Sequence, residues 1–282
     1  MVILAAVKSQ SGIENVVSVG LELAEAFNEE LKLTHIVEQE EGRDDAIKSA
    51  NSFLDDLCLG EQTESARIST EVRVGDPVKE IEKVVDADTR LLLIGSRHRS
   101  AVGKVVVGSV ARSILFNIEC QKVTIPLDTD RFHLGNNGPS KPVLACVDRS
   151  QRSREVVREG AILADALGVD LHVAHVLSKG EFVDLERESY ENTGQTIELD
   201  DMKRVAATFA SEAIEDVGVE AQPVGLVGDP AHELKSYADE SGASYFVVTS
   251  RRRSSVGKAI FGSVAQSLIL SAELPVFLVK DE

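Results

Sequence analysis

SRHRSAVGKVVVGSVARSIL, residues 96–115, returns as SRRRSSVGKAIFGSVAQSLI at residues 250–269, with the same residue at 12 of the 20 positions. Each copy follows an apolar run with the look of a buried strand, Leu91 to Ile94 and Tyr245 to Val248. Each then passes through basic and small residues to a Gly-Ser that opens an apolar-periodic segment. The order is strand, phosphate-sized loop, helix, and it occurs twice.

Working outward from the first copy, Val2 to Val7 reads as a strand, and Ser11 is expected to cap a helix over residues 12–27 with Val16, Val17, Leu21, Leu23 and Ala24 on its buried stripe. A second strand, Leu31 to Val37, carries His35; an acidic turn, a helix over 46–59 and a strand over Ser69 to Val74 follow. Gly75-Asp76-Pro77 is a helix start in miniature: Asp76 caps, Pro77 suits the first turn, and Val78, Ile81, Val84 and Val85 form the buried face. A last strand runs near Val123 to Leu127. Strands alternating with helices at this spacing imply parallel βαβ units.

The segment DTDRFHLGNNGPSK, from Asp128 to Lys141, reads as a linker. After it the pattern begins again: Val143 to Val147 repeats the first strand, and His175 stands 140 residues after His35. Gly228-Asp229-Pro230 lies 153 residues after its counterpart and Gly262 lies 154 after Gly108, so the halves differ by an insertion of about 13 residues. Its place is the loop and helix start around Lys179 to Asp201, acidic and poor in apolar periodicity, where a surface loop absorbs length at little entropic cost. The expected domains are 1–128 and 142–282, joined by a linker over 129–141.

Composition narrows the function classes. A formal charge of −17, from 47 acidic and 30 basic residues, argues against a general nucleic-acid binder. An acidic, tryptophan-free chain also suits work in high salt, as in a halophile, with ordinary acidity as the alternative. No apolar run approaches the roughly 18 residues of a membrane span, and the opening MVILAAVKSQ lacks the marks of a signal peptide, so no membrane insertion and a cytoplasmic location are expected. Cys58, Cys120 and Cys146 are odd in number and lack metal-ligand spacing; packing is their expected role. Against this acidity, the basic residues Arg97, His98, Arg99 and Lys104, and again Arg251, Arg252, Arg253 and Lys258, point to an anion.

Each half resembles a universal stress protein domain over nearly its whole length, through the first strand, the histidine-bearing second strand, the Gly-Asp-Pro helix start and the Gly-Ser loop. The nucleotide-binding members of that family carry Gly-x2-Gly-x9-Gly-[Ser/Thr] after the fourth strand and an Asp at the end of the first. Nine residues, Arg99 to Val107 and Arg253 to Phe261, precede Gly108-Ser109 and Gly262-Ser263 here. The resemblance implies α/β architecture: two Rossmann-like domains of the adenine nucleotide alpha hydrolase-like type, each a five-stranded parallel sheet of order 3-2-1-4-5 flanked by helices. It also implies an adenine nucleotide (ATP, ADP or AMP, with Mg alongside ATP) at the carboxyl ends of the central strands, and a regulatory role in stress response without catalysis. In the second half the implied contacts are Val147 and Asp148 at the first strand's end and the backbone of Val176 against adenine. Thr249, Arg252 and Arg253, then Gly262, Ser263 and Val264, follow the phosphates. The first half offers Ile36, Gly95, His98 and Arg99, then Gly108, Ser109 and Val110.

Departures from the pattern matter as much as the match. The first half keeps Gly95 but has His98 at the second glycine and Lys8 in place of the Asp; the second half has Asp148, with Thr249 and Arg252 at the glycines. The second half is therefore the expected working site. The Arg252 side chain either blocks the terminal phosphates, favouring AMP or an empty loop, or folds outward and pairs with phosphate oxygens bidentately. Glycine at a helix N-terminus lets an anion reach backbone N–H groups; the plain alternative is that Gly-Ser only turns and caps. His35 and His175 are expected buried and hydrogen-bonded, and the Gly-Asp-Pro carboxylates are expected caps. His98 is either a phosphate or pH sensor or a solvated loop residue. Lys104 and Lys258 either steer phosphate or are solvated. No catalytic constellation, metal-ligand spacing or P-loop pattern is found. The family also implies pairing through the fifth strands, Val123 to Leu127 and Pro275 to Val279, hence an internal pseudo-dimer; Gln121 in place of the second strand's proline is expected to alter that pairing. A homodimer is a further partner reading. Two other functions stay open: a nucleotide-free interaction module acting on a transporter or regulator, and a slow ATP hydrolase.

Overall fold

The aliphatic runs form strands because β-branched and leucine side chains on both faces find cover from helices. The computed structural model describes residues 1–38, 43–60, 67–99, 105–129, 141–194, 196–249, 252–253, 259–260 and 262–280. In order these give β1 (Val2–Val7), α1 (Glu14–Phe27), β2 (Glu30–Val37), α2 (Arg43–Gly60), β3 (Arg67–Val74), α3 (Pro77–Val84), β4 (Thr89–Arg99), β5 (Val105–Val106), α4 (Ser109–Asn117) and β6 (Lys122–Pro126). Then come β7 (Val143–Val147), α5 (Ser153–Leu167), β8 (Leu171–Ser178), α6 (Lys179–Thr193), α7 (Leu199–Val217), β9 (Gln222–Gly228), α8 (Pro230–Ser241) and β10 (Tyr245–Thr249). The chain closes with β11 (Arg252–Arg253), β12 (Ala259–Ile260), α9 (Ser263–Ser271) and β13 (Val276–Val279). The described residues within 1–137, 251–261 and 269–282 form one compact unit; those within 138–250 and 262–268 form the other.

In the first unit, parallel strands run in the order β3-β2-β1-β4-β6, and β13 lies antiparallel along β6, pairing Val276 with Thr124 and Leu278 with Lys122. Gln121, in the place of the second strand's proline, adds to this pairing: its side-chain carbonyl accepts the Lys280 N–H at 3.1 Å. Leu4, Leu33, Leu92 and Val123 are sealed from solvent in the centre of the sheet, and each such side chain contributes about 1.5–3 kcal/mol of burial free energy. In the second unit the parallel order is β9-β8-β7-β10, with Leu144, Ala145, Val173 and Val247 equally sealed.

Both Gly-Asp-Pro segments start helices as read. Lys79 N–H donates to Asp76 Oδ1 and His232 N–H to Asp229 Oδ1, each at 3.0 Å. Their glycines stand at φ +148° and +147°, a backbone state that side chains avoid. On α3, Ile81 is buried while Val78, Val84 and Val85 are half-buried. Glu80 takes the remaining buried place because Arg73 Nε reaches its carboxylate at 3.0 Å.

Three expectations are corrected. Ser11 does not cap the first helix: α1 begins at Glu14 behind Ile13, with no side-chain cap, because Gly12 at φ +79° turns the chain first. The motif segments are not open loops between strand and helix. β4 runs on to Arg99 and folds back as a hairpin, with His98 opposite Val106 and Arg99 opposite Val105; β11 and β12 repeat this with Arg252 opposite Ile260. The insertion forms a whole helix where a loop and a helix start were expected. Ser178 and Glu181 form a reciprocal capping box that starts α6, and Phe182, Leu185 and Ile197 pack on Leu177, Met202 and Ala206 with Phe209 and Val227. Phe182 and Leu185 of α6, with Ile197 from the connection to α7, suffice to seat the helix although they show no regular period.

Candidate functional site

The two halves build the same corner at the carboxyl end of the first strand. The Val7 carbonyl accepts from His35 Nδ1 and the Val147 carbonyl from His175 Nδ1, each at 3.0 Å. A carbonyl can only accept, so Nδ1 carries the proton in both rings and, with the ring neutral, Nε2 keeps a lone pair. Each ring meets a phenylalanine edge to face, His35 with Phe53 at 5.4 Å and His175 with Phe209 at 5.1 Å between centroids. Burial, reinforced by the Lys8 charge, lowers the His35 pKa against the upward pull of the Val7 carbonyl. His175 is 4% exposed, and its Nε2 has no hydrogen-bond partner among the described residues. Both histidines therefore tie adjacent strands by a hydrogen bond, as expected, with His175 buried and His35 half-buried.

Beyond the tie the halves part. Lys8 is exposed at the end of β1. At the corresponding end of β7, Asp148 Oδ1 accepts from Ser150 N–H at 2.9 Å and from the Ser150 hydroxyl, which holds an exposed carboxylate in one orientation. Ser153 Oγ ties the same turn by donating to the Asp148 carbonyl at 2.6 Å and accepting its N–H at 3.1 Å. Val147 is buried. Val176 follows His175, the last residue of β8 that pairs with β7, and is 9% exposed; Ile36 stands equally one residue past the last β1 pair and is half-buried.

At the other end of the site, Thr249 closes β10, half-buried, and Gly95 lies in β4 opposite Ile125. A Cβ on Gly95 would stand 3.0 Å from the Leu127 side chain, so this glycine serves packing. Gly108 is different. It is the N-cap of α4 with ordinary φ −58° and ψ 148°, no side chain caps the helix, and a Cβ there would meet nothing within 4 Å. Gly262 accepts from Gln266 N–H at the head of α9, and its Cβ position is likewise open. Ser109, Val110 and Ser263 are exposed and Val264 half-buried at these helix starts, where the first N–H groups have no acceptor within the helix and favour an anion. The side chains of His98, Arg99, Arg252 and Arg253, and Lys104, Arg251 and Lys258 altogether, lie outside the described residues.

Two features escaped the sequence reading. Arg149 lays its guanidinium over Phe209 at 4.6 Å from the ring centroid. In the first half a cleft of about 630 Å³ opens instead, lined by Ser9, Gln10, Ser11, Glu14, Phe53 and Asp56 among others. Phe53 and Phe209 stand 156 residues apart, and the insertion hid their correspondence. Among the described residues no cluster of His, Cys, Asp or Glu is arranged to hold a metal, and no helix is long and apolar enough to cross a membrane. Burial pushes the Cys58 and Cys120 thiols up, which leaves neither primed as a nucleophile.

A model of the universal stress protein family matches residues 1–126 and again 139–280. A universal stress protein of Mycolicibacterium smegmatis is 28% identical over 247 residues, 86% of this chain and 78% of that one. Universal stress protein YxiE of Bacillus subtilis is 27% identical over 153 residues, 49% of this chain and 97% of its own length. A solved universal stress protein from Archaeoglobus fulgidus shares the fold at a TM-score of 0.69, with 20% identity and coverage of 99% of this chain and 98% of that one. With the family pattern met twice along one polypeptide, and parallel α/β sheets carrying both copies, the chain belongs to the universal stress protein family as a tandem of two Rossmann-like domains.

Proposed function

We propose that this chain is a cytoplasmic regulatory protein of stress response that binds an adenine nucleotide, with the second half as the working site. The observation that carries the reading is the pair Gly108 and Gly262. Among the described residues neither position meets a neighbour that would exclude a Cβ, and Gly108 has backbone angles open to any residue. The fold does not ask for glycine there, whereas a phosphate seated on the N–H groups of a helix start does. Asp148, exposed and oriented by Ser150, would take the ribose hydroxyls, and the Val176 backbone, one residue beyond the β7 pairing, would meet the adenine edge. Lys8 denies the first half that carboxylate. Arg252 and Arg253 would supply phosphate charge, and Mg would accompany ATP through the phosphates. Catalysis is no part of the reading. Two family domains in one chain support an internal pseudo-dimer as part of the same reading.

Native mass spectrometry of the purified chain, repeated on Asp148→Asn, tests this. Asparagine keeps the Oδ1 acceptor for Ser150 and loses the charge. One adenine nucleotide per chain, lost in the variant, supports the reading; no nucleotide bound after addition of ATP, ADP or AMP overturns it. In that case the second reading stands, a nucleotide-free module acting on a transporter or regulator. The hairpins that β4–β5 and β11–β12 make where an open phosphate loop was expected speak for it.

A further inference from the structure

The duplication allows one half to report on the other. Val7 and Val147 are equivalent through their histidine ties, which makes Ser9 the counterpart of Arg149, two residues on. Phe53 and Phe209 are equivalent because each meets that histidine edge to face, and buried Ala50 and Leu54 correspond at the same spacing to buried Ala206 and Ala210. In the second half, the guanidinium of Arg149 covers the Phe209 ring at 4.6 Å, and its charge also reaches Glu181. In the first half, serine replaces the arginine, and the cleft of about 630 Å³ opens in front of Phe53.

The walls of that cleft have changed in step. Glu14 stands where the second half has Arg154, which is itself engaged with Asp216 at 2.8 Å. Asp56 corresponds to Glu212. The first half thus presents an aromatic ring, two exposed carboxylates and the polar chain of Ser9, Gln10 and Ser11 around an open cleft with ample room for a guanidinium. A ring face attracts a planar cation through its quadrupole, and flanking carboxylates add hydrogen-bonding charge. Lys8, exposed next to Ser9, opposes this and weakens it.

We propose that the cleft at Phe53, walled by Glu14 and Asp56, binds a guanidinium group from outside the chain, in the place that Arg149 fills from within in the second half. The site is separate from the nucleotide reading and does not depend on it. The group belongs either to a small guanidine such as agmatine or to an arginine side chain of a protein.

The test is NMR of the full chain carrying ring-13C phenylalanine, with the Phe53 signal assigned from Phe53→Leu, titrated at low salt. Agmatine and an acetylated, amidated Gly-Arg-Gly peptide are the two probes, and N-carbamoylputrescine is the control that keeps the amine and replaces guanidinium with neutral urea. The Phe53 ring signal is expected to shift with a guanidinium probe and to need about tenfold more of the urea. Tighter binding of agmatine assigns a small-molecule source, and tighter binding of the peptide a protein arginine. Ser9→Arg supplies the internal occupant without emptying the core and is expected to abolish the shift; Glu14→Gln with Asp56→Asn is expected to weaken binding about tenfold, and Lys8→Met to tighten it. No shift with either guanidinium, an equal response to the urea, or full binding by Ser9→Arg overturns the proposal.

Discussion

Replacing Gly262 with alanine separates a glycine kept for the fold from one kept for a ligand. The added methyl would meet nothing within 4 Å, and the same holds at Gly108, where φ is −58° and ψ 148°. Alanine is a poorer N-cap than glycine by about 0.5–1 kcal/mol. It also narrows the unfolded ensemble, which stabilises by about 0.4–1 kcal/mol. The two nearly cancel, so Gly108→Ala and Gly262→Ala should leave stability within about 0.5 kcal/mol of the parent by urea unfolding followed by circular dichroism. Gly12→Ala is the contrast. Its backbone sits at φ +79°, and the methyl would lie 1.9 Å from the Leu127 carbonyl oxygen. The left-handed state alone costs about 1–2 kcal/mol, and backbone must move to relieve the contact, so a loss of at least about 3 kcal/mol is expected. Nucleotide affinity should follow another order: Gly262→Ala places a methyl in the path of phosphate oxygens and should weaken calorimetrically measured binding about tenfold or more. A Gly262→Ala variant destabilised by more than about 1.5 kcal/mol would make the glycine structural. One unchanged in both stability and affinity would remove phosphate from this helix start.

Asp76→Ala and Asp229→Ala each remove the acceptor for one helix-start N–H and should each cost about 1 kcal/mol, read from unfolding midpoints. Glu181→Gln weakens the α6 capping box, and hydrogen exchange in α6 should speed up while β7 and β8 stay protected. Burial works to raise the Glu71 pKa, but hydrogen bonds and charge from Lys32 and Arg73 outweigh it and set it below the usual range; Lys83 and Arg73 lower Glu80. A depressed folded pKa means these carboxylates stabilise the fold above about pH 4.3 and lose that contribution as pH falls through the folded value; Arg73→Gln should flatten this acid limb. The His35 pKa is also lowered, so its neutral form stabilises the fold above about pH 6.5, and the contribution is lost as pH falls through the folded value. Lys8→Met should move the His35 NMR titration upward by removing the neighbouring charge; an unmoved midpoint would remove Lys8 from that corner.

The fold was legible because its signals are local and came twice. Aliphatic runs, the Gly-Asp-Pro starts and histidines 140 residues apart each need only a few neighbouring residues to be read. Where reading failed, the deciding contact was a tertiary or cross-strand one that local propensity does not carry. Ser11 has the chemistry of a cap, but the approach of Gly12 to Leu127, more than a hundred residues on, sets where α1 begins. The insertion showed no apolar period because Phe182, Leu185 and Ile197 are seated by Leu177, Met202 and Ala206 and not by one continuous stripe. The hairpin at Arg99 depends on cross-strand register with Val105, which no propensity encodes. Of the site, the strand-end Asp148 and the glycines could be named, since the family motif lists them. The Arg149 stack on Phe209 could not, because the partner sits on a helix whose offset the insertion had shifted.

The halves differ at many positions, and the exchanges at the corner past the histidine tie bear on what each could hold. The histidine tie and the phenylalanine beneath it are retained in both, since losing either would leave a buried ring or carbonyl without its partner. What changes lies just past the tie: Lys8 for Asp148, Ser9 for Arg149, Glu14 for Arg154. Each exchange alters charge at an exposed position, where stability is indifferent to within about 0.5 kcal/mol, and together they reverse the sign of the strand-end residue and of the helix start. The exchanges do not all point one way: Glu14 favours a cation at the first corner while Lys8 opposes it, so Lys8→Met is the variant in which a guanidinium should bind there most tightly.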